Sequence, residues 1–204
     1  TDAQTNRAEL TDFAAVLFNK VQLVTFPHVL TGAYMTAGAF VMGVALYQLR
    51  KQALDQPGSA DLSMYRRAVR FGAWVALVAS LGVLVSGDFQ GKIMTEVQPM
   101  KMAAAEGLYE TTSGAPFSVL TIGSLDGSKA TPIIEIPGLL SFLGTGSFDG
   151  EIKGIRDVAA AEAAAYGSNP TTASASYVPV IWLTYWNFRL MMGAGFLTMA
   201  FAAM

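Results

Sequence analysis

The sequence predicts an all-α integral membrane protein: a fragment of a transmembrane helix bundle carrying one long segment outside the lipid. Three observations predict it. The 204 residues are 52% hydrophobic and only 14% charged, against about 25% charged in an ordinary soluble domain. Three apolar runs reach or approach the roughly 20 helical residues that span a bilayer. The charges are sorted, basic in one connection and acidic in another.

Residues 1–20 form a lead-in on the outer side. The first span covers residues 21–49, and within it residues 26–49 contain no charged residue and a single histidine, His28. The connection 50–70 holds Arg50, Lys51, Arg66, Arg67 and Arg70 against Asp55 and Asp61. Short basic connections stay on the cytoplasmic side. Residues 71–87 are 17 uncharged residues and form the second span, with arginines at its start able to snorkel. The third span, residues 180–204, is interrupted by Arg189 and headed by Trp182, Tyr185 and Trp186, a pattern similar to an interfacial aromatic belt.

Between the second and third spans, residues 88–188 carry ten acidic and five basic side chains, so the segment 88–179 faces outward. At about 90 residues it is too long for a bare connection and is functional or partly disordered. Within it, 98–109 reads as a short helix after Pro99, 115–122 and 132–136 as extended, 157–166 as an Ala-rich helix and 167–176 as flexible. The absence of cysteine excludes disulfides and thiolate ligands, and a net charge of −2 gives no basis for a nucleic-acid partner. The chain starts at Thr1 without the basic start and apolar core of a signal peptide. It ends inside an apolar run, so it is expected to be a piece of a longer membrane protein.

His28 is the sole histidine. An ionisable group in a membrane span is costly and marks a functional position by default. Gly32, Thr36, Ala39 and Gly43 follow it at helical spacing. Such a stripe admits a flat group, and equally admits a neighbouring helix. On the third span Gly195, Thr198 and Ala202 continue a similar stripe from Met191. A thioether is a soft ligand and His/Met is an established haem ligation, although most of ten methionines serve as packing. Arg189 either reaches the surface or pairs with a buried anion. Lys101 can donate a hydrogen bond and Glu106 can accept a proton; five residues apart, they need not touch on a helix. Asp88, at the head of the outer segment, is a candidate for a proton exit path.

Residues 91–123, GKIMTEVQPMKMAAAEGLYETTSGAPFSVLTIG, resemble the quinol-binding outer loop, or Q-loop, of cytochrome bd oxidase subunit I. Residues 21–43, VQLVTFPHVLTGAYMTAGAFVMG, resemble the family helix that supplies the histidine ligand of its low-spin haem b. Residues 184–196, TYWNFRLMMGAGF, resemble the helix that supplies the methionine ligand, in a Phe-Arg-x-Met context. The three motifs occur in the family's order, and the segment spacing is similar to that of actinobacterial members.

The resemblance implies that His28 and Met191 are the axial ligands of the low-spin haem b, the Phe188–Arg189–Leu190–Met191 pattern choosing Met191 over Met192. It implies that Arg189 corresponds to an arginine near that haem, expected to favour its reduced form or meet its propionates, that Lys101 and Glu106 act in quinol oxidation, and that Asp88 matches an acidic residue at the head of the loop. A high-spin haem b and a haem d, where oxygen is reduced, belong to earlier helices of the full subunit. A second membrane subunit is the implied partner, and the substrate is ubiquinol or menaquinol.

The resemblance thus implies the quinol-oxidising half of a multi-pass terminal oxidase of the bacterial cell membrane, electrogenic without pumping. Lys101 positions a quinol oxygen and Glu106 releases a proton outward. The rival from residue types alone is a transporter or channel fragment in which His28 and Arg189 line a solute path; a cofactor-free structural subunit is the third reading.

Overall fold

A computed structural model describes residues 10–55, 62–123, 130–166 and 177–204. The flexible stretch expected at 167–176 lies outside the described residues. A short helix α1 (Phe13–Leu17) is capped by Asp12, whose carboxylate accepts the Ala15 N–H at 3.1 Å. Two long helices follow, α2 (Lys20–Asp55) and α3 (Ser63–Val97).

These two are the described helices long and apolar enough to cross a membrane. They run antiparallel: Lys20 at the start of α2 pairs with Glu96 near the end of α3, and at the other end Gln52 Nε2 donates to the Tyr65 hydroxyl at 2.8 Å. At 1.5 Å per residue each exceeds roughly 50 Å, well beyond the roughly 30 Å of hydrocarbon. Both therefore project from the lipid. The expected basic connection 50–70 is accordingly mostly helical, since α2 continues to Asp55 and α3 begins at Ser63. Likewise α3 does not stop at residue 87 but runs ten residues further, carrying Asp88 inside it. A charge marks where a helix leaves lipid, and nothing in residues 88–97 breaks the helix itself.

The seam between α2 and α3 is made by small residues: Gly38 and Ala45 with Met42 on one side, Gly72, Ala76, Ala79 and Ser80 on the other. A Cβ added at Gly38 would lie 2.6 Å from the Ala76 backbone nitrogen, and one added at Gly72 would lie 2.7 Å from the Gly38 carbonyl oxygen. The backbones thus touch, as small residues permit in membranes. The packing face is the Gly38 face, not the stripe from Gly32 to Gly43; at Gly32 and Gly43 an added Cβ would meet nothing within 4 Å.

The segment between α3 and α7 is folded around α4 (Pro99–Glu106). Pro99 opens it, where its missing N–H costs nothing. Gly107 closes it in the left-handed region at φ 65°, which ends the helix three residues before the expected 109. Strand β1 (Thr112–Ser113) pairs antiparallel with β4 (Glu151–Ile152), and β2 (Phe117–Gly123) with β3 (Ala130–Ile136). Between them lies α5 (Leu139–Thr145), and α6 (Ile155–Tyr166) follows. The extended segments and the two short helices expected from sequence are thus present, together with the small β1–β4 pair and α5, which were not anticipated.

One apolar cluster joins Met100, Ala103 and Ala104 of α4 to Ile155 and Val158 of α6 and Ile181. A second joins Met102 to Ala115, Leu140 and Ile152. Burying apolar faces on both sides of α4 fixes its position. The Ser141 hydroxyl pins the second cluster, accepting the Ala115 N–H at 2.7 Å and donating to the Gly150 carbonyl at 2.6 Å. Finally α7 (Ile181–Ala203) packs against α3 and α4. It falls outside the pair of clearly membrane-crossing helices because Asn187 and Arg189 lie in its first half.

The seam gives a direct test. Gly38→Ala must push two backbones apart and should destabilise by about 1–3 kcal/mol, the usual cost of overpacking. Gly43→Ala should stay within about 0.5 kcal/mol of the parent. Thermal unfolding of the purified protein distinguishes them; equal behaviour would refute backbone contact at Gly38.

Candidate functional site

Among the described residues, Arg189 on α7 forms a buried ion pair. Its Nη2 lies 2.6 Å from Glu106 Oε2, with the two side chains only 8% and 2% exposed. Nη1 lies 3.4 Å from both Glu106 Oε1 and the Ala105 carbonyl, and Nε donates to the Ser118 carbonyl at 2.9 Å. The guanidinium carbon sits 4.5 Å from the ring centres of Phe117 and Tyr185 and 5.7 Å from that of Phe188. Arg189 therefore does not snorkel. It pairs with a buried anion, and that anion is the carboxylate of α4.

Local structure explains the meeting. Glu106 is the last residue of α4, immediately before the left-handed turn at Gly107, and a Cβ on Gly107 would lie 3.4 Å from the Tyr185 ring. Tyr185 is one helical turn before Arg189, so the two share a face. The Tyr185 hydroxyl contacts both the Ser118 carbonyl and the Ser118 hydroxyl at 3.2 Å, and the Ser118 hydroxyl also meets that of Thr121. Expected as an interfacial anchor, Tyr185 is instead 4% exposed and part of this site; Trp182 and Trp186 remain about half exposed. Burial pushes the Glu106 carboxyl above the ordinary glutamate range, and the charge and hydrogen bonds of Arg189 pull it part of the way back.

The other acid and base positions stand apart. Lys101 is exposed on α4, about 140° around the helix from Glu106. Asp88 pairs with Lys92 at 2.6 Å, one turn along α3, with both side chains about a third exposed. The structure thus brings together Glu106 and Arg189 but leaves Lys101 and Asp88 outside that cluster.

His28 lies on α2 one residue after Pro27, half-buried, with Nδ1 3.1 Å from the Ser86 hydroxyl of α3. Met191 is 55% exposed on α7. Helices α2 and α7 touch each other, and both pack on α3. Gly32 is one turn beyond His28 and Gly195 one turn beyond Met191. A Cβ added at Gly32, Gly193 or Gly195 would meet nothing within 4 Å. An imidazole, a thioether and uncrowded helix faces beside each fit an axially ligated haem. Sequence reasoning missed Ser118, Tyr185 and Ser86 as site residues. The turn spacing of Tyr185 and Arg189 carried a signal for one of them; Ser86, a small residue in an apolar run, carried none.

Comparison with known proteins agrees in direction. Residues 1–204 match the family described as cytochrome bd terminal oxidase subunit I. The chain is 36% identical over 191 residues to cytochrome bd ubiquinol oxidase subunit 1 of Bacillus subtilis, covering 93% of this chain and 38% of that protein. It is 30% identical over 160 residues to cytochrome bd-II ubiquinol oxidase subunit 1 of Escherichia coli, covering 78% of this chain and 30% of that one. The solved bd oxidase of Geobacillus thermodenitrificans superposes with a TM-score of 0.74 at 26% identity, over 94% of this chain and 39% of its own. The chain spans between 30% and 39% of the length of these relatives. The solute-path reading of His28 and Arg189 finds no support: these relatives are oxidase subunits, and Arg189 is engaged by Glu106.

The ion pair predicts a mechanical role. Arg189→Leu leaves Glu106 buried and uncompensated, which costs about 3–5 kcal/mol. Limited proteolysis in detergent should then cut residues 98–123 faster than in the parent. The double variant Arg189→Leu/Glu106→Leu should recover much of the loss, and purely additive effects in that cycle would show that the pair is not coupled.

Proposed function

Because this chain belongs to the cytochrome bd terminal oxidase subunit I family, we propose that it oxidises a quinol beside α4 and passes the electrons to a low-spin haem b held by His28 and Met191. In this reading it is the quinol-side part of a bacterial membrane oxidase that reduces oxygen to water. The observation that carries the proposal is the Arg189–Glu106 pair. It ties the carboxylate suited to proton removal to a position two residues from the proposed methionine ligand.

The residues divide the work by their surroundings. Lys101, exposed on α4, offers an ammonium donor to a quinol oxygen. Glu106 takes the quinol proton; burial raises its proton affinity and the charge and hydrogen bonds of Arg189 offset part of that rise. Asp88, paired with Lys92 on the last turns of α3, is assigned to the exit path for that proton. His28, on α2, and Met191, on α7, would hold the haem iron. When bound, the haem supplies a one-electron redox couple, while the protein contributes ligation and electrostatics.

Membrane orientation follows the charges. Arg50, Lys51, Arg66, Arg67 and Arg70 all lie at one end of the antiparallel pair α2–α3, which supports a cytoplasmic placement there. The folded segment after α3 then lies outside, and α7 serves as the third span. The high-spin haem b and haem d, and contacts with a second membrane subunit, belong to the full-length oxidase.

Two experiments on the full-length oxidase test the reading. First, His28→Ala and Met191→Ala should each abolish the sharp reduced bands of one low-spin haem or convert it to high spin. Absorption spectra that match the parent in both variants would remove the ligand assignment.

Second, Glu106→Gln should slow quinol-driven turnover by about 10²-fold or more, the usual share of a general base, at unchanged haem content. Since the raised carboxyl must be ionised to act, the acid limb of the rate–pH profile should sit above that of an ordinary glutamate. Arg189→Gln, which removes the stabilising charge, should move that limb to still higher pH. A limb unmoved by Arg189→Gln would mean that Glu106 is not the titrating base.

A further inference from the structure

The contact between His28 and Ser86 fixes more than proximity. Ser86 Oγ lies 2.7 Å from the Gly82 carbonyl and 3.3 Å from the Val83 carbonyl of its own helix, and 3.1 Å from His28 Nδ1. A hydroxyl has one proton, and carbonyl oxygens only accept. With that proton directed at Gly82, Ser86 presents a lone pair to the imidazole. Two lone pairs do not make a hydrogen bond, so Nδ1 carries the hydrogen and donates it. The neutral ring then has its free lone pair on Nε2. The ring is also seated by shape: a Cβ at residue 87 would lie 3.3 Å from His28 Cε1 and 3.7 Å from Nδ1, so the ring packs closely against the Gly87 backbone of α3.

We propose that Ser86 is the positioning residue for His28, selecting the Nδ1–H tautomer so that Nε2 is the atom offered to iron. This rests on the proposed ligation by His28 and adds a residue from a third helix to that centre. Ligand histidines are commonly oriented in this way through their second nitrogen. The bond also makes the imidazole a stronger donor. A stronger donor favours ferric iron, so Ser86 lowers the midpoint potential of the haem.

The test uses the full-length oxidase with all its subunits and needs no turnover assay. Ser86→Ala removes the acceptor; Ser86→Cys removes a strong acceptor while keeping side-chain bulk; Ser86→Thr keeps the hydroxyl. Ser86→Ala and Ser86→Cys should retain a low-spin haem whose midpoint potential is shifted upward, with an altered ferric low-spin electron paramagnetic resonance signal, while Ser86→Thr matches the parent. Should Ser86→Ala fail to assemble, Ser86→Cys carries the same comparison. Potentials and signals identical to the parent in the variants lacking the acceptor would overturn the proposal, as would a Ser86→Thr shift as large as theirs. His28→Ala is the reference. Loss of the low-spin haem there, with silent Ser86 variants, removes only the role of Ser86. An intact low-spin haem in His28→Ala removes the ligand and its positioning residue together.

Discussion

A guanidinium and a carboxylate, both almost stripped of water, hold the segment between α3 and α7 onto α7. Burying two such charges costs several kcal/mol each, and their attraction repays this only when the geometry is good and the remaining donors are satisfied. Here they are: two Arg189 nitrogens address the two carboxylate oxygens, two backbone carbonyls take further N–H groups, and aromatic rings lie within 4.5 Å of the guanidinium carbon. The net gain in stability is small by this reasoning, but the specificity is large. One register of α4 and one approach of β2 satisfy every partner at once, and losing either charge strands the other. The pair is therefore a locator: it sets where the end of α4 and the start of β2 sit relative to the head of α7.

The long helices solve a different problem. Inside lipid there is little hydrophobic gain from bringing helices together, so van der Waals packing must suffice. Gly38 and Gly72 let the backbones of α2 and α3 meet directly. That contact spends one face of α2 on α3 and leaves the Gly32 face open. His28 stands between the two regimes. Its ring rests against Gly87 and Ser86 on α3, while the face one turn on, at Gly32, is uncrowded. The same chain of small residues thus separates packing from access, which the stripe at Gly32, Thr36, Ala39 and Gly43 alone left undecided.

What was legible in the sequence tracks how local the cause is. The apolar runs around residues 26–49 and 71–87 depend only on length and hydropathy, and they emerge as helices. Pro99 and the Ala-rich run at 157–166 mark short helices by composition, and 115–122 and 132–136 are extended as read. Helix ends were misplaced wherever a charge was taken as a stop, because α2 and α3 continue past Arg50 and Asp88 with their backbone hydrogen bonding unbroken. The partnership of Arg189 with Glu106 joins residues 83 apart, and no periodicity encodes it. Tyr185 was read as a belt residue because it stands with Trp182 and Trp186 at the head of the span; it is buried instead, with its hydroxyl on Ser118, again distant in sequence. Residue type and position raised His28, Met191, Lys101 and Glu106 as candidates and resemblance supplied their expected roles, whereas the partner of Glu106 came only from the fold.

Counting donors sharpens what Arg189 is able to do for a haem. A guanidinium has five N–H groups. Nε is given to Ser118, the two on Nη1 are shared between Ala105 and Glu106 Oε1, and one on Nη2 goes to Glu106 Oε2. One N–H remains. A bidentate grip on a propionate would require Glu106 to let go, so the expectation that Arg189 meets a propionate and the observation that it holds Glu106 compete for the same hydrogens. What Arg189 would contribute to a haem at the proposed ligand Met191 without breaking its present bonds is a positive charge two residues away, and the net charge there depends on its partner. While Glu106 is ionised the pair is nearly neutral. Once Glu106 is protonated, the guanidinium stands uncompensated in a region of low dielectric, where its field reaches further. The proton state of α4 and the electrostatic setting of α7 are therefore linked through one side chain, which is the coupling that oxidation of a proton-bearing electron donor calls for.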